Sequence, residues 1–97
     1  MRLEDLAIPE GLVLVRTTPE FDETTVPAGL LRNHRVAAGV WGVVRVRSGR
    51  IGFSFDDEPG SRRSISAGES QVIPPERPHH LVLQGKVLLA VEFFGSC

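Results

Sequence analysis

Gly68-Glu69-Ser70-Gln71-Val72-Ile73-Pro74-Pro75-Glu76-Arg77-Pro78-His79-His80 joins a tight turn, a short apolar run and a stiff exit that ends in two imidazoles. Gly68 suits the backbone angles of a turn, and Val72-Ile73 is a β-branched pair that favours a strand. Neither Pro74 nor Pro75 has an N–H to donate, and Pro75 pushes Pro74 into an extended conformation. The hydrogen-bonded ladder must therefore stop at Pro74, turn through Glu76-Arg77-Pro78 and restart at His79-His80-Leu81-Val82-Leu83. A histidine at that restart is held by backbone stiffness and not by a long mobile loop.

Downstream, Gln84-Gly85 reads as a turn into Lys86–Phe94, a run that is apolar on both faces. Upstream, Ile51-Gly52-Phe53-Ser54-Phe55 alternates with three apolar residues on one face. Val40–Arg47 puts Val44 and Val46 on one face, with Arg45 and Arg47 on the opposite, solvated one. Ser48-Gly49-Arg50 between these two runs reads as a hairpin-like turn. Asp56–Ser61 is a polar loop and Arg63–Ser66 a weak strand. Nearer the start, Leu3–Glu10 predicts one helical turn stopped by Pro9, and Gly11–Thr17 a strand. Thr18–Glu23 is turn material anchored by Phe21, Leu30–Val36 reads as a second strand, and Ala37-Ala38-Gly39 as a flexible connection. Seven or eight short strands with little helix and no internal repeat predict an all-β sandwich or barrel.

Composition sets the outer limits. The chain has 97 residues, 41% apolar and 24% charged, with a formal net charge of −1. That suits one globular domain spanning 1–97, with a single core. The 11 Lys and Arg are scattered and form no stripe that would track phosphates, so nucleic acid is not an expected partner. Met1-Arg2-Leu3-Glu4-Asp5 has acids where a signal peptide needs an apolar run, and no segment is apolar for long enough to span a bilayer. A cytoplasmic location with no membrane partner is expected. The single cysteine, Cys97, excludes an internal disulfide and reads as an incidental thiol in a reducing compartment.

A strand apolar on both sides needs cover on both sides. Val87, Leu89 and Val91 oppose Leu88, Ala90 and Phe94, so one row fills the barrel and the other most simply meets a second layer or a second subunit. A homodimer is the expected assembly.

Gly68, Pro74 and His79 follow the second cupin motif, G-x5-P-x-G-x2-H, with Glu76 in place of its middle glycine. The first motif is partial. His34 stands at its first histidine, Val36 at its second and Gly49 at its closing glycine, while Gly42 replaces the expected glutamate. A four-ligand cupin site is therefore ruled out. A narrower resemblance runs through Arg16–Phe21, Val26–Leu30, His34, Gly39-Val40-Trp41, Ser48-Gly49, Pro74-Pro75-Glu76 with His79, and Val91–Phe94. In these elements the chain resembles the small cupin-like family found alone or as the N-terminal domain of TehB-type tellurite-resistance proteins. The resemblance implies a double-stranded β-helix, a small jelly-roll barrel, in a family largely defined without an established reaction. The methyltransferase domain of the fused proteins has no counterpart in these residues, so S-adenosylmethionine binding is not expected.

The cupin register puts His34 and His79 at positions that face the barrel mouth. Glu92 is the candidate third ligand, because a carboxylate in an apolar strand is expensive to bury without a cation or hydrogen-bond partner. Two imidazoles and a carboxylate suit zinc or iron, with open positions for water or a small-molecule ligand. If the strand is regular, Arg32 shares a face with His34, where a guanidinium can orient an anion; Trp41 is the candidate ligand-stacking ring. Each has a plainer alternative. Glu92 can pair with Arg32 or Arg45, Trp41 can serve packing, His80 is the outward neighbour of His79, and Glu76 sits in an exposed turn. Two functions remain: a metal-binding small cupin that takes a small anionic or oxygen-rich ligand in oxyanion or metal stress, and a metal-free ligand-binding or interaction module.

Overall fold

Two long antiparallel strands, β3 (Trp41–Phe55) and β6 (His79–Gly95), pair from Trp41 opposite Phe94 to Phe55 opposite His79 and carry the other elements. They are seen in a computed structural model that describes residues 3–32, 34–58 and 60–96; Cys97 lies outside the described residues. The shorter strands are β1 (Val13–Thr17), β2 (Phe21–Asp22), β4 (Arg62–Ser66) and β5 (Ser70–Ile73), with 3-10 turns at Leu3–Asp5 and Ala28–Leu31. The order is β1-β6-β3-β4, with β2 also on β6 and β5 also on β3.

The expected turns at Ser48-Gly49-Arg50 and Gln84-Gly85 are absent as turns. Both lie inside the long strands, and the β3–β6 register slips between Val46 and Ser48 and again between Gly49 and Ile51. Gly49 (φ 73°) and Gly85 (φ 117°) take angles that side-chain-bearing residues rarely adopt, so each strand kinks and carries on. The kinks merge four of the expected strands into two, while β2 forms where turn material was expected and Leu30–Val36 does not pair as a strand. Past the kink each strand changes neighbours. The first half of β3 pairs with β5 and the second with β4, while the second half of β6 takes β1 and β2. The inward side chains of both halves form one buried cluster, including Val44 and Val46 from one side of the kink and Ile51, Phe53, Phe55 and Leu81 from the other.

Leu30–Val36 does not form the expected strand. The Leu30 N–H donates to the Pro27 carbonyl at 3.0 Å, which closes the 3-10 turn and sends Leu30 and Leu31 against the core. Among the described residues of this segment, His34 alone forms a bridge to the sheet. Its N–H donates to the His79 carbonyl at 2.7 Å, and it accepts from the His79 N–H at 2.9 Å. On β6 the row Val87, Leu89, Val91 is buried, and the opposite row Leu88, Ala90, Phe94 is half-buried. Gln71, also buried, accepts from Arg63 and donates to the Leu3 carbonyl at 3.0 Å, which ties the first turn to the barrel.

Glu76 has φ 59° at the position where the cupin motif uses glycine. Its N–H donates to the Val36 carbonyl at 2.8 Å, so the left-handed turn fixes the segment beside His34. Glu76→Gly is expected to stabilise the protein by about 1 kcal/mol by relieving that conformation. Glu76→Pro, which can neither adopt the angle nor donate, should lose stability; both effects can be read from urea midpoints.

Candidate functional site at the His34–His79 pair

His79 opens β6, where its backbone lies between Phe55 of β3 and the bridging His34. Alternation along β6 sends the His79 ring inward with Leu81, both almost wholly buried, and His80 outward, where its Nδ1 lies 2.7 Å from Asp56. The His79 ring stacks on Phe53 with centroids 5.6 Å apart, and the His34 ring meets it edge to face at 5.3 Å. His79 Nδ1 is 3.0 Å from the Arg77 carbonyl. A carbonyl only accepts, so Nδ1 carries the proton and Nε2 keeps its lone pair. Nδ1 of His34 is buried and has no hydrogen-bond partner among the described residues. The two rings line a cavity of about 20 Å³, closed otherwise by apolar side chains that include Leu30, Val36, Val91 and Phe93.

Burial pushes both imidazoles below their ordinary value of 6.5. For His79 burial is the largest influence, with smaller opposing ones from the Arg77 carbonyl and Asp56 and smaller concordant ones from His34 and His80. A base whose folded value is depressed binds protons more readily when unfolded. Stability of the metal-free protein is therefore full above pH 6.5 and falls as the pH drops from there toward the folded values. Unfolding midpoints measured from pH 8 to 4.5 should show this fall. The fall should be shallower in His79→Asn, which can still donate to Arg77 but does not titrate; an equal slope in both proteins contradicts the expectation.

The pair is the part of the expected site that the fold assembles. Glu92 lies between Val91 and Phe93, both of which face the cavity, and so points to the other side of β6. There it forms an ion pair with Arg45 at 2.5 Å, one of the two alternatives read from the sequence. The expected third ligand is thus not at the histidines. Arg32 is exposed at the end of the Ala28–Leu31 turn, and the regular strand that was to align it with His34 does not form. Trp41 is half-buried opposite Phe94 and does not line the cavity. Among the described residues, no cluster of three or more His, Cys, Asp or Glu is placed to hold a metal ion. Arg16 was missed as a site residue. Its guanidinium lies 5.1 Å above the Phe93 ring, and among the described residues no carboxylate pairs with it. Its place in a strand pattern carries no mark that distinguishes it from Arg45 or Arg47.

The residues present fit two corners of a zinc or iron site. The fixed tautomer of His79 and the unpartnered nitrogen of His34 suit ligation, and a ligating imidazole commonly donates its other N–H to a carbonyl. The remaining cupin positions hold Val36 and Gly42, both buried and neither a donor.

The kinked antiparallel strands, the proline exit and the histidine at the mouth define a cupin-like barrel. A cupin-2 domain protein from Shewanella frigidimarina shares this fold, with a TM-score of 0.52 and 20% identity over 89% of this chain and 72% of its own. More narrowly, the chain belongs to the TehB-like domain family, whose model matches residues 16–91. The uncharacterized Escherichia coli protein YeaR is 28% identical over 98 residues, covering 92% of this chain and 82% of YeaR. TehB from Haemophilus influenzae has the same fold at 15% identity and a TM-score of 0.80, over 90% of this chain and 32% of TehB.

Proposed function

We propose that the protein binds a small anionic or oxygen-rich ligand through a divalent transition ion, zinc or iron, held by His34 and His79. The observation that carries this reading is the meeting of two imidazoles, one with its tautomer fixed by Arg77 and the other with a buried nitrogen left unpartnered among the described residues. Neutral imidazole is the form that coordinates, and burial favours it. The ion would supply Lewis acidity toward a ligand oxygen. Membership of a family named for TehB supports a role in oxyanion or metal stress. The metal-free alternative is favoured by the apolar lining and by the engagement of Glu92 with Arg45. The half-buried row Leu88, Ala90 and Phe94 supports a homodimer as the assembly.

Elemental analysis of untagged protein tests the reading. About one metal per chain is expected in the wild type, and little in His34→Ala and His79→Asn. A wild type that stays empty after Zn(II) and Fe(II) are offered overturns the metal and leaves the metal-free module. Light scattering on the same samples tests the dimer, and a monomer at working concentration removes it.

A further inference from the structure

Two open grooves flank the histidine mouth and share three residues, Arg16, His34 and Phe93. The larger, about 350 Å³, adds a second guanidinium, that of Arg35, and the apolar side chains of Val15, Val36 and Val40. Among the described residues, its lining includes no acidic side chain. Arg35 donates to the Glu76 carbonyl at 3.2 Å, which anchors its head group beside the proline exit. Among the described residues, neither Arg16 nor Arg35 has a carboxylate partner. Val15 is 54% exposed at the same groove, a large apolar side chain left in contact with water.

We infer that this groove binds a small organic carboxylate, with Arg16 and Arg35 taking its charged end and Val15, Val40 and Phe93 covering its hydrocarbon body. An inorganic oxyanion would satisfy the guanidiniums and leave the apolar wall wet. A neutral hydrocarbon would cover the wall and leave both charges unmatched. A carboxylate with a short apolar tail answers both, since a guanidinium fork matches two carboxylate oxygens and a ring or chain removes apolar surface from water. The placement of Phe93 helps, because its ring is already the platform over which the Arg16 guanidinium lies. The inference deepens the anionic-ligand part of the proposed function. It rests on His34 being at the ligand site and does not require the metal.

Hexanoate, benzoate and inorganic phosphate titrated into the full chain, followed by amide chemical shifts and calorimetry, provide the test. Chelator-treated and zinc-supplemented samples run in parallel. Hexanoate or benzoate should bind at least ten-fold more tightly than phosphate, with shifts centred on Val15, Arg16, Arg35 and Val40. Arg16→Gln should weaken that binding about ten-fold at unchanged fold and metal content, with Arg16→Lys in between. Binding by the chelator-treated sample supports the inference even if the metal proposal fails. Phosphate binding as tight as the organic acids, no binding of either organic acid in both samples, or an Arg16→Gln variant that binds like the wild type overturns it.

Discussion

Gly49→Ala is expected to destabilise the protein by about 3–5 kcal/mol, a large fraction of what a domain of this size has to lose. Two effects add. The backbone at Gly49 has φ 73°, which a β-carbon penalises, and that carbon would run into the carbonyl oxygen and backbone of Lys86 on the facing strand. The obstacle is main chain at the kink of β6, so it cannot swing aside like the end of a flexible side chain. Gly85→Ala is the matched control. Its φ of 117° lies further from the left-handed region open to alanine than that of Gly49, but nothing lies within 4 Å of the added carbon, so only backbone strain of about 1–3 kcal/mol is expected. Denaturant unfolding of the two variants separates the effects. Equal losses would mean that the close approach of β3 to Lys86 does not matter.

Phe53→Ala should cost about 3–5 kcal/mol, because the ring is almost wholly buried and its removal leaves a cavity under the site. Phe53 meets Phe55 edge to face with centroids 5.0 Å apart and lies nearly parallel to the His79 ring, at 20°. The more telling variant is Phe53→Leu, which keeps most of the volume and should cost less than about 1.5 kcal/mol. It removes the flat surface that holds His79, so zinc affinity should fall roughly ten-fold, as when other supporting contacts to ligating histidines are lost. A Phe53→Leu protein that takes up zinc like the wild type would show that the Arg77 hydrogen bond alone orients the imidazole.

The alternating runs were readable because one side of each faces a dry core; Val44, Val46, Ile51, Phe53 and Phe55 are all buried as the pattern requires. The stop at Pro74 and the restart at His79 follow from the missing N–H groups of proline. The two central glycines were misread for a physical reason. A left-handed glycine serves a two-residue turn and a kink within a continuous strand equally well, and only the partner strand decides between them. Leu30–Val36 went wrong through Pro27, which starts a 3-10 turn that local apolar content does not reveal. In the site, the motif register places His34 and His79 as neighbours, and their rings meet edge to face. Glu92 went astray because a strand apolar on both faces does not disclose which face is inside. The half-buried carboxylate is instead paired across the sheet by Arg45, on the neighbouring strand.

The edge position of β1 has a consequence for self-association. Val13, Leu14 and Val15 are exposed along the rim of the sheet, where an unguarded strand invites another chain to add on and seed aggregates. The register irregularity between Leu14 and Arg16 and the charge on Arg16 both interrupt such a template. Exchanging this arginine for an aliphatic residue would confuse ligand loss with precipitation, whereas glutamine keeps the rim polar.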